Sequence, residues 1–488
     1  MILRKSIYIY LTLPFLIFVL GWVKSVVAIP MVIAILVCLW RIFQQMDTQV
    51  WSPSWDRNTV IKVVGVILVL ALWVYMSGVG KLVFQNLDHA YRNTIFRLLV
   101  EEQWPIVQSG VNGSDITMIY YIGFWMPAAI VGKIIGLEAG YYMQVIWAYV
   151  GVCLFYLLLC QYRKKIEIWP MVVFILFSGL DIVGNIGMGG RGEMYTTAFH
   201  QEWWNSTFQF TSITAQLFWV FNQAIPAWLC TMMIFTEKNN RNIVFILGSC
   251  LISSTLPAVG LILLMIYVVF TRTTYKKPWL IGLVKDTCTI QNVLGGGIMG
   301  LTTFFYLLSN TSANNVMQEI TVESGWDYSV FNWCLFFAIE LLCYIIVMWK
   351  FQRKNWLFYY TVVSLIAVSC VRIGLSNDFC MRASIPGLVI FIILILETLE
   401  MAYRERKLLF NRMSFIALVG LLVIGSVTPF IEFKRTIQET ISRKNAGEEI
   451  TDPDVPVDAI MGELGVNFSG DVTGTIYDKY LMKKNINE

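Results

Sequence analysis

Charged residues are scarce in this sequence. Aspartate, glutamate, lysine and arginine make up 14% of its 488 residues, whereas hydrophobic residues make up 57%. A soluble domain carries roughly 25% charged residues, so this chain cannot cover a water-exposed surface with polar groups. The composition therefore excludes an ordinary soluble domain and predicts an integral membrane protein.

Motifs for cysteine chemistry are also missing. The chain has 10 cysteines but no CxxC pair, and most of the cysteines lie in or beside apolar runs, where a thiol behaves as a small hydrophobic group. This pattern indicates neither a metal site nor a disulfide framework. The net charge of +4 is small, and we expect membrane lipids rather than nucleic acid as partners.

Apolar runs, by contrast, recur along nearly the whole chain. A helix needs about 20 mostly apolar residues to cross a bilayer. The candidate spans are 7–23, 26–43, 59–79, 141–160, 168–186, 214–234, 290–308, 330–349, 355–371, 384–399 and 412–430. The run 243–271 is too long for one span and contains Pro257, which favours two short helices. The sequence thus predicts an all-α polytopic transmembrane helical bundle with about 13 crossings.

The positions of lysine and arginine predict the orientation, because basic residues concentrate in cytoplasmic loops. If the N-terminus is cytoplasmic and the apolar run 117–135 does not cross, six basic loops all lie on the cytoplasmic side. If that run crosses, every later loop changes sides. We therefore expect 117–135 to be a re-entrant or surface-lying helix and the C-terminus to be extracytoplasmic.

This topology divides the chain into three parts. Two extra N-terminal transmembrane helices occupy residues 1–58, and the main membrane domain occupies residues 59–432. The outer loops of that domain are 80–140, 187–213, 309–329 and 372–383. Residues 433–488 form a short extracytoplasmic tail.

Acid–base side chains gather in the predicted outer loops. The only two histidines lie there: His89 follows Asp88, and His200 stands two residues before Glu202. Loops collect polar residues in any protein, so this placement alone does not separate a site from a solvated surface. Asp88 closely follows a span, where a carboxylate at the mouth of a cavity can act as a general base toward a hydroxyl. Residues 93–102 after it predict a short amphipathic helix at the membrane interface.

Two segments carry a resemblance to a known family. The stretch IYYIGFWMPAAIVGKIIGLEAGYYMQVIWAYVGVCLFYLLL follows the Asp88 loop, and the stretch DFCMRASIPGLVIFIIL places Arg382 and Pro386 at the start of a late span. With the acid in the first outer loop, they resemble the GT-C superfamily of integral membrane glycosyltransferases over most of residues 59–400. His89 stands where the family has a second acid, and two extra spans precede the main domain. These departures indicate a divergent branch.

The resemblance implies an inverting enzyme that moves a sugar from a polyprenyl-phosphate carrier to a glycan, lipid or protein acceptor on the extracytoplasmic face. Such enzymes assemble cell-surface glycans or glycolipids, and the compact loops favour a bacterial plasma membrane. Asp88 is then the expected base, with His89 or another acid as its partner.

A departing phosphate needs its charge stabilised, and arginine does this well because it is always charged and binds bidentately. Arg372 and Arg382 flank one short outer loop and are candidates for this role, as is Arg92 in the first loop. The alternative for Arg372 and Arg382 is that they reach to the lipid headgroups or pair with Asp378.

The second outer loop holds further candidates. Asp181, near the end of a span, and Glu202 are candidates for a second catalytic carboxylate. If Asp88, His89 and Glu202 converge, a divalent cation such as Mg²⁺ or Mn²⁺ is a candidate cofactor, with Asp88 and Glu202 as ligands. Nothing in the sequence requires a metal.

Aromatic side chains accompany these acids. His200, Trp203 and Trp204 are candidate substrate contacts because aromatic faces suit sugar rings, although tryptophan belts at the membrane interface are common. Glu340 is the remaining charge at membrane depth, and it either completes an internal polar network or lines the path of the lipid phosphate.

Three other functions remain open. A transporter or flippase for a lipid-linked saccharide would carry charges near the membrane midplane, often in related halves, whereas here the acids cluster on one face. An O-antigen-polymerase-like protein relies on a long, late, arginine-rich outer loop, whereas the densest loop here comes early. A scaffold without catalysis would keep the same fold.

Overall fold

The computed structural model describes residues 1–46, 51, 53–109, 115–187, 200–205, 207–272, 279–310, 330–371, 378–462 and 465–484. Its α-helices, in chain order, are α1 (Ile2–Trp22), α2 (Ser25–Gln44), α3 (Arg57–Met76), α4 (Leu87–Glu101), α5 (Met126–Ile135), α6 (Leu137–Arg163), α7 (Trp169–Leu176), α8 (Asp181–Gly187), α9 (Ile213–Thr236), α10 (Ile243–Leu251), α11 (Thr255–Arg272), α12 (Trp279–Thr287), α13 (Gly297–Leu308), α14 (Val330–Phe337), α15 (Cys343–Gln352), α16 (Trp356–Ser369), α17 (Asp378–Ala383), α18 (Ile385–Arg404), α19 (Leu409–Gly425), α20 (Val427–Ala446) and α21 (Asp458–Met461).

Ten helical segments in the described ranges are long and apolar enough to cross a membrane, and the chain is an integral membrane protein. They are α1, α2, α3, α6, α7 with α8, α9, α11, α14 with α15, α18, and α19 with α20. Three further predicted crossings correspond to the shorter helices α10, α13 and α16. The prediction of a polytopic helical bundle is confirmed, and the count of thirteen crossings stays a prediction.

Helices α9 and α18 form the centre of the bundle. In their most apolar windows, 94% of α9 and 83% of α18 is buried, against 22% of α3. A helix that is hydrophobic all round and surrounded by other helices is a core helix. The exposed apolar side chains of α2 and α3 are the ones that lipid would cover.

The apolar run 117–135 is not one helix. It begins in a strand (Asp115–Met118), passes through a 3₁₀ turn (Gly123–Trp125) and ends in α5. The continuous helical part Gly123–Ile135 is 13 residues long, or about 20 Å, whereas the hydrocarbon core of a bilayer is about 30 Å thick. This length fits the predicted re-entrant or surface-lying segment.

The predicted break near Pro257 is confirmed. Helix α10 ends at Leu251 and α11 begins at Thr255, so Pro257 lies in the first turn of the second helix. Proline costs little there, because the first backbone N–H groups of a helix have no partner within the helix.

Tertiary contacts gather the predicted outer segments at one end of the bundle, which we call the loop end. These contacts join Trp104 to Trp22, Tyr306 to Met118, and Arg382 to Tyr121. Basic side chains meet acids at the opposite end, where Arg4 pairs with Glu237 at 3.1 Å and Arg163 pairs with Glu400 at 3.2 Å. Arg4 and Arg163, both predicted to be cytoplasmic, thus lie at the end away from the predicted outer loops.

The C-terminal part of the chain differs from the expected tail. The segment predicted from residue 433 begins as helix, because α20 continues to Ala446. A small antiparallel sheet then joins it to the first loop: β3 (Ser469–Gly470) pairs with β2 (Asp115–Met118), which also pairs with β1 (Val107–Ser109). The all-α expectation missed this sheet, since its strands are only two to four residues long and β3 lies far from β2 in sequence.

Candidate functional site

Helix α4 carries the acid that the sequence singled out. The helix predicted over 93–102 begins earlier, at Leu87, and Asp88 lies in its first turn, where the positive end of the helix dipole favours a carboxylate. Its apolar side chains, including Ile95 and Phe96, are buried in the protein. The expectation that they lie at the membrane interface was wrong, because α5, α6 and α21 pack against α4.

Asp88 is joined to Arg92, one turn further along α4. Arg92 donates from Nη2 to Oδ2 of Asp88 at 2.9 Å. The guanidinium is buried, whereas the Asp88 side chain is 42% exposed, so the carboxylate reaches solvent. The Nε and Nη1 atoms of Arg92 have no hydrogen-bond partner among the described residues. Unpaired buried donors are costly, and an anion would satisfy them.

Arg382 approaches the same place from α17. It is buried, it donates from Nη1 to the Tyr121 hydroxyl at 2.8 Å, and it pairs through Nη2 with Asp378 at 3.2 Å. Burial acts to lower the pKa of Arg382, but Tyr121 and Asp378 outweigh it and the pKa is raised. Asp88 acts in the same direction, so the Asp88 carboxylate is within electrostatic reach of Arg382.

We call this group the arginine cluster; its members are Asp88, Arg92, Tyr120, Tyr121, Asp378 and Arg382. The Tyr120 hydroxyl donates to the Tyr121 hydroxyl at 2.5 Å. Burial is the main reason that the pKa of Tyr120 is raised, and Arg382 and Arg92 both act on it in the opposite direction. Both arginines therefore lie near one tyrosine, and the Asp88 carboxylate connects the cluster to solvent.

His89 points away from Asp88 into the protein core. Its Nε2 lies 2.8 Å from the carbonyl oxygen of Phe218, and its Nδ1 lies 3.2 Å from the amide nitrogen of Gln85. Because the carbonyl accepts and the amide donates, the proton is on Nε2 and the ring is neutral. Burial lowers the pKa of His89 to about 4, and Arg92 acts in the same direction. His89 fastens α4 to α9, and the structure does not bring it together with Asp88.

Four further residues singled out in the sequence, Asp181, His200, Glu202 and Glu340, form a second, buried group with Glu432 and Arg435. We call these six residues the acidic cluster. His200 joins its two halves: Nε2 lies 3.2 Å from Glu202 and Nδ1 lies 2.8 Å from Glu432. Burial acts to lower the pKa of His200, but Glu202 and Glu432 outweigh it and raise that pKa to about 10. The ring is therefore a cation held between two carboxylates.

Each of these carboxylates has further donors. Glu432 accepts two hydrogen bonds from Nη1 of Arg435, at 3.0 and 3.1 Å. Glu202 accepts from the Gln209 side chain at 2.6 Å and from the backbone N–H of Ser212 at 2.8 Å. These bonds fix the end of the second loop onto α9 and α20.

Asp181 and Glu340 extend the acidic cluster into the membrane-spanning part. Asp181 accepts from Ser178 at 2.5 Å and from Thr428 at 2.9 Å. Glu340 accepts from Nε1 of Trp204 at 3.1 Å. The exposed Trp203 is not part of this bond; its ring packs edge-on against His200, 5.5 Å away.

Both acids lie where the helices are irregular. The chain is not helical between α7 and α8, just before Asp181, and Glu340 lies in a π-helical turn (Ala338–Leu342). A Cβ at Gly179 would overlap the Glu340 carboxylate, so a larger residue there would force this carboxylate to move. Irregular backbone at membrane depth persists only inside protein or beside a water-filled cavity, and π-turns are frequent at functional sites.

The two clusters are distinct but connected. Asp88 pairs with Arg92 whereas Glu202 pairs with His200, and no ion pair or hydrogen bond among the described residues joins Asp88 to Glu202. The link is Gln209, which donates to Glu202 and hydrogen-bonds through its backbone to Cys380 on α17, the helix that carries Arg382. Arg372 lies outside the described residues.

No group of three or more histidine, cysteine, aspartate or glutamate side chains in the described ranges is arranged to hold a metal ion. The divalent cation therefore stays a prediction from the sequence.

Comparison with known proteins adds no relative. No protein-family model, no curated protein and no solved structure matches the chain.

Several residues of both clusters escaped prediction from the sequence. Glu432 and Arg435 lie just beyond the last predicted span, in the segment IEFKR, and their three-residue spacing is the signal that was available. Tyr120 and Tyr121 form a doublet within the stretch that carries the family resemblance. Adjacent tyrosines are common at membrane interfaces, so the doublet did not stand out.

Proposed function

We propose that the chain is a membrane glycosyltransferase that moves a sugar from a polyprenyl-phosphate carrier to an acceptor on the extracytoplasmic face. The observation that supports this most is the arginine cluster. It combines a part-exposed carboxylate with two buried arginines whose remaining N–H groups are unbound within the described residues. A phosphate oxygen is the kind of acceptor that satisfies such groups.

The proposed reaction uses the cluster as follows. Arg92 and Arg382 bind the phosphate of the donor, and their charge stabilises the phosphate as the bond from the anomeric carbon to the phosphate oxygen breaks. The acceptor hydroxyl attacks that carbon from the opposite face, and Asp88 takes the hydroxyl proton. The products are an inverted glycoside, a free polyprenyl phosphate and a protonated Asp88, which returns its proton to water.

The resting ion pair fits this sequence of events. Arg92 holds Asp88 before the donor arrives. A phosphate bound to the same guanidinium competes with the carboxylate for its donors, which frees Asp88 to accept a proton. The arrangement thus couples donor binding to the release of Asp88 from Arg92.

The test is the variant Asp88→Asn, which keeps the shape of the side chain and removes its basicity. Purified protein in proteoliposomes receives a panel of polyprenyl-phosphate hexoses, and transfer of labelled sugar to endogenous or added acceptors is measured. We expect the rate to fall by about 100-fold or more. Asp115→Asn, in the same loop but outside both clusters, is the matched control. Full transfer by Asp88→Asn would contradict the proposal.

A second candidate function is transport of a lipid-linked saccharide. It is favoured by the buried acids Asp181 and Glu340 beside interrupted helices, since transporters place their sites at such breaks. In this case the same proteoliposomes would move a labelled lipid-linked saccharide between leaflets without forming a new glycosidic bond. Asp88→Asn would leave that movement unchanged.

A further inference from the structure

The C-terminal segment 447–484 crosses the face of the loop end that carries the arginine cluster. It is fastened just before α4 and to α4 itself: Asp454 pairs with Lys81 at 2.6 Å, and the carbonyl of Val455 accepts from Thr94 at 2.7 Å. Further along, the carbonyl of Phe468 accepts from the backbone N–H of Ile119 at 2.8 Å. These bonds place one side chain of the segment, Phe468, beside the cluster.

Phe468 forms a wall of aromatic rings with two tyrosines. Its ring stacks on that of Tyr91, with centroids 5.9 Å apart and planes 20° apart, and its centroid lies 5.0 Å from that of Tyr120. Tyr91 lies three residues after Asp88, so these two side chains share a face of α4. The wall therefore continues the arginine cluster toward solvent.

The exposure of Tyr91 and Phe468 distinguishes these two rings of the wall from core packing. Tyr91 is 37% exposed and Phe468 is only partly buried, although many aromatic residues of the chain are wholly buried. The strand pairing of Ser469 with Met118 fixes the backbone next to Phe468. The rings are thus held in place before any ligand arrives, and binding costs little ordering of side chains.

The chemistry of this surface suits a sugar. An aromatic face carries partial negative charge and packs against the C–H groups of a pyranose ring. The neighbouring carboxylates of Asp88 and Asp378 are each 42% exposed and can accept hydrogen bonds from sugar hydroxyls. An isoprenoid chain would gain nothing from those carboxylates, so the polar side of the donor is the better occupant.

We propose that Phe468 is a substrate-binding residue that, with Tyr91, holds the sugar of the lipid-phosphate donor. This inference rests on the proposed function, because it assigns the donor sugar to the same site. The C-terminal segment then takes part in sugar selection, although it lies far from the catalytic loop in sequence.

The test compares the bare lipid phosphate with the same lipid phosphate carrying a hexose. Binding of polyprenyl phosphate, and of a panel of polyprenyl-phosphate hexoses, to the purified full chain in nanodiscs is measured. The wild type should bind at least one hexose-bearing lipid more tightly than the bare lipid. Phe468→Ala should reduce this preference by about 3- to 10-fold and leave the bare lipid unchanged. Phe468→Tyr should keep the preference.

Phe468→Leu is the control for misfolding, because leucine fills most of the volume of phenylalanine but has no aromatic face. This variant should lose the preference for the hexose-bearing lipid and keep the thermal unfolding midpoint of the wild type. An unchanged preference in Phe468→Leu overturns the inference alone. An equal loss for both lipids shows a structural role and also overturns it. A wild type that binds bare polyprenyl phosphate with no preference for any hexose overturns it as well. A wild type that binds neither lipid overturns the proposed function, and the inference with it.

Discussion

At the scale of single residues, neighbours in sequence have different surroundings. Asp88 and His89 are adjacent, yet the first reaches solvent beside Arg92 and the second is buried against the carbonyl of Phe218. Successive residues of a helix point about 100° apart, so one of the two faces the bundle when the other faces the loop end. The acid–histidine pair of the sequence is therefore two separate features.

His200 carries a prediction about pH. Its pKa is about 10 in the folded protein and about 6.5 when exposed, so its charge stabilises the fold fully below pH 6.5, and this contribution is lost as the pH rises through 10. The thermal unfolding midpoint of the wild type should fall between pH 6.5 and 10. In His200→Gln that fall should be smaller, and at pH 7 this variant should be less stable by about 3–5 kcal/mol, because two buried carboxylates lose their cation.

Scanning calorimetry or thermal fluorescence in one detergent across this pH range checks the prediction. Gln103→Asn, a substitution at an exposed position of the first loop, controls for the effect of pH on the rest of the chain. An equal fall in the wild type and in His200→Gln would contradict the assignment of the titration to His200.

At the scale of elements, the short helix α8 shows how glycine permits close packing. A Cβ at Gly184 would stand 2.4 Å from the Trp204 ring, whereas a Cβ at Gly187 of the same helix would meet nothing within 4 Å. Trp204 in turn holds Glu340 through its indole N–H. The face of α8 that carries Gly184 therefore sets the position of the acidic cluster.

Gly184→Ala should destabilise the protein by about 1–3 kcal/mol, because the indole ring must move or the helix must shift. Gly187→Ala is the matched control, and it should change the unfolding free energy by less than about 0.5 kcal/mol. The midpoint of thermal unfolding in detergent measures both. Equal midpoints for the two variants would show that α8 is not packed against Trp204 in this way.

At the scale of the whole molecule, both ends of the bundle carry ion pairs, and the basic residues predicted to be cytoplasmic lie at the end away from the outer loops. The loop end holds both clusters and the C-terminal segment, and the opposite end holds the ion pairs of Arg4 and Arg163. Basic residues are retained on the cytoplasmic side of a membrane. We therefore expect the loop end to be extracytoplasmic.

Cysteine labelling tests this orientation. In a background with the exposed Cys288, Cys334 and Cys370 replaced by serine, an impermeant thiol reagent should label Thr473→Cys in intact cells. It should label Lys407→Cys only after permeabilisation. Both positions are exposed, so accessibility within the protein does not separate them. The reverse pattern would show that the chain is inserted with the loop end inside.

The sequence by itself determined the membrane class, most helices and the broken hairpin at Pro257, whereas the side of the membrane on which the candidate acids lie stays a prediction. These features follow from rules that act along the chain: the length of apolar runs, the backbone restriction of proline and the placement of basic loops. The resemblance pointed to Asp88 and Arg382, and the structure brings these two within electrostatic reach.

Only the tertiary structure decided which acids share a cluster. His200 meets Glu432, 232 residues away in sequence, and the ring of Phe468, near the C-terminal end of the described chain, stacks on that of Tyr91 in the first outer loop. It also decided that the apolar face of α4 is covered by protein rather than by lipid. Contacts between distant residues depend on how distant helices pack, which a local pattern does not encode. The sequence also does not show what covers an apolar helix face, because that face looks the same whether a helix or a lipid lies against it.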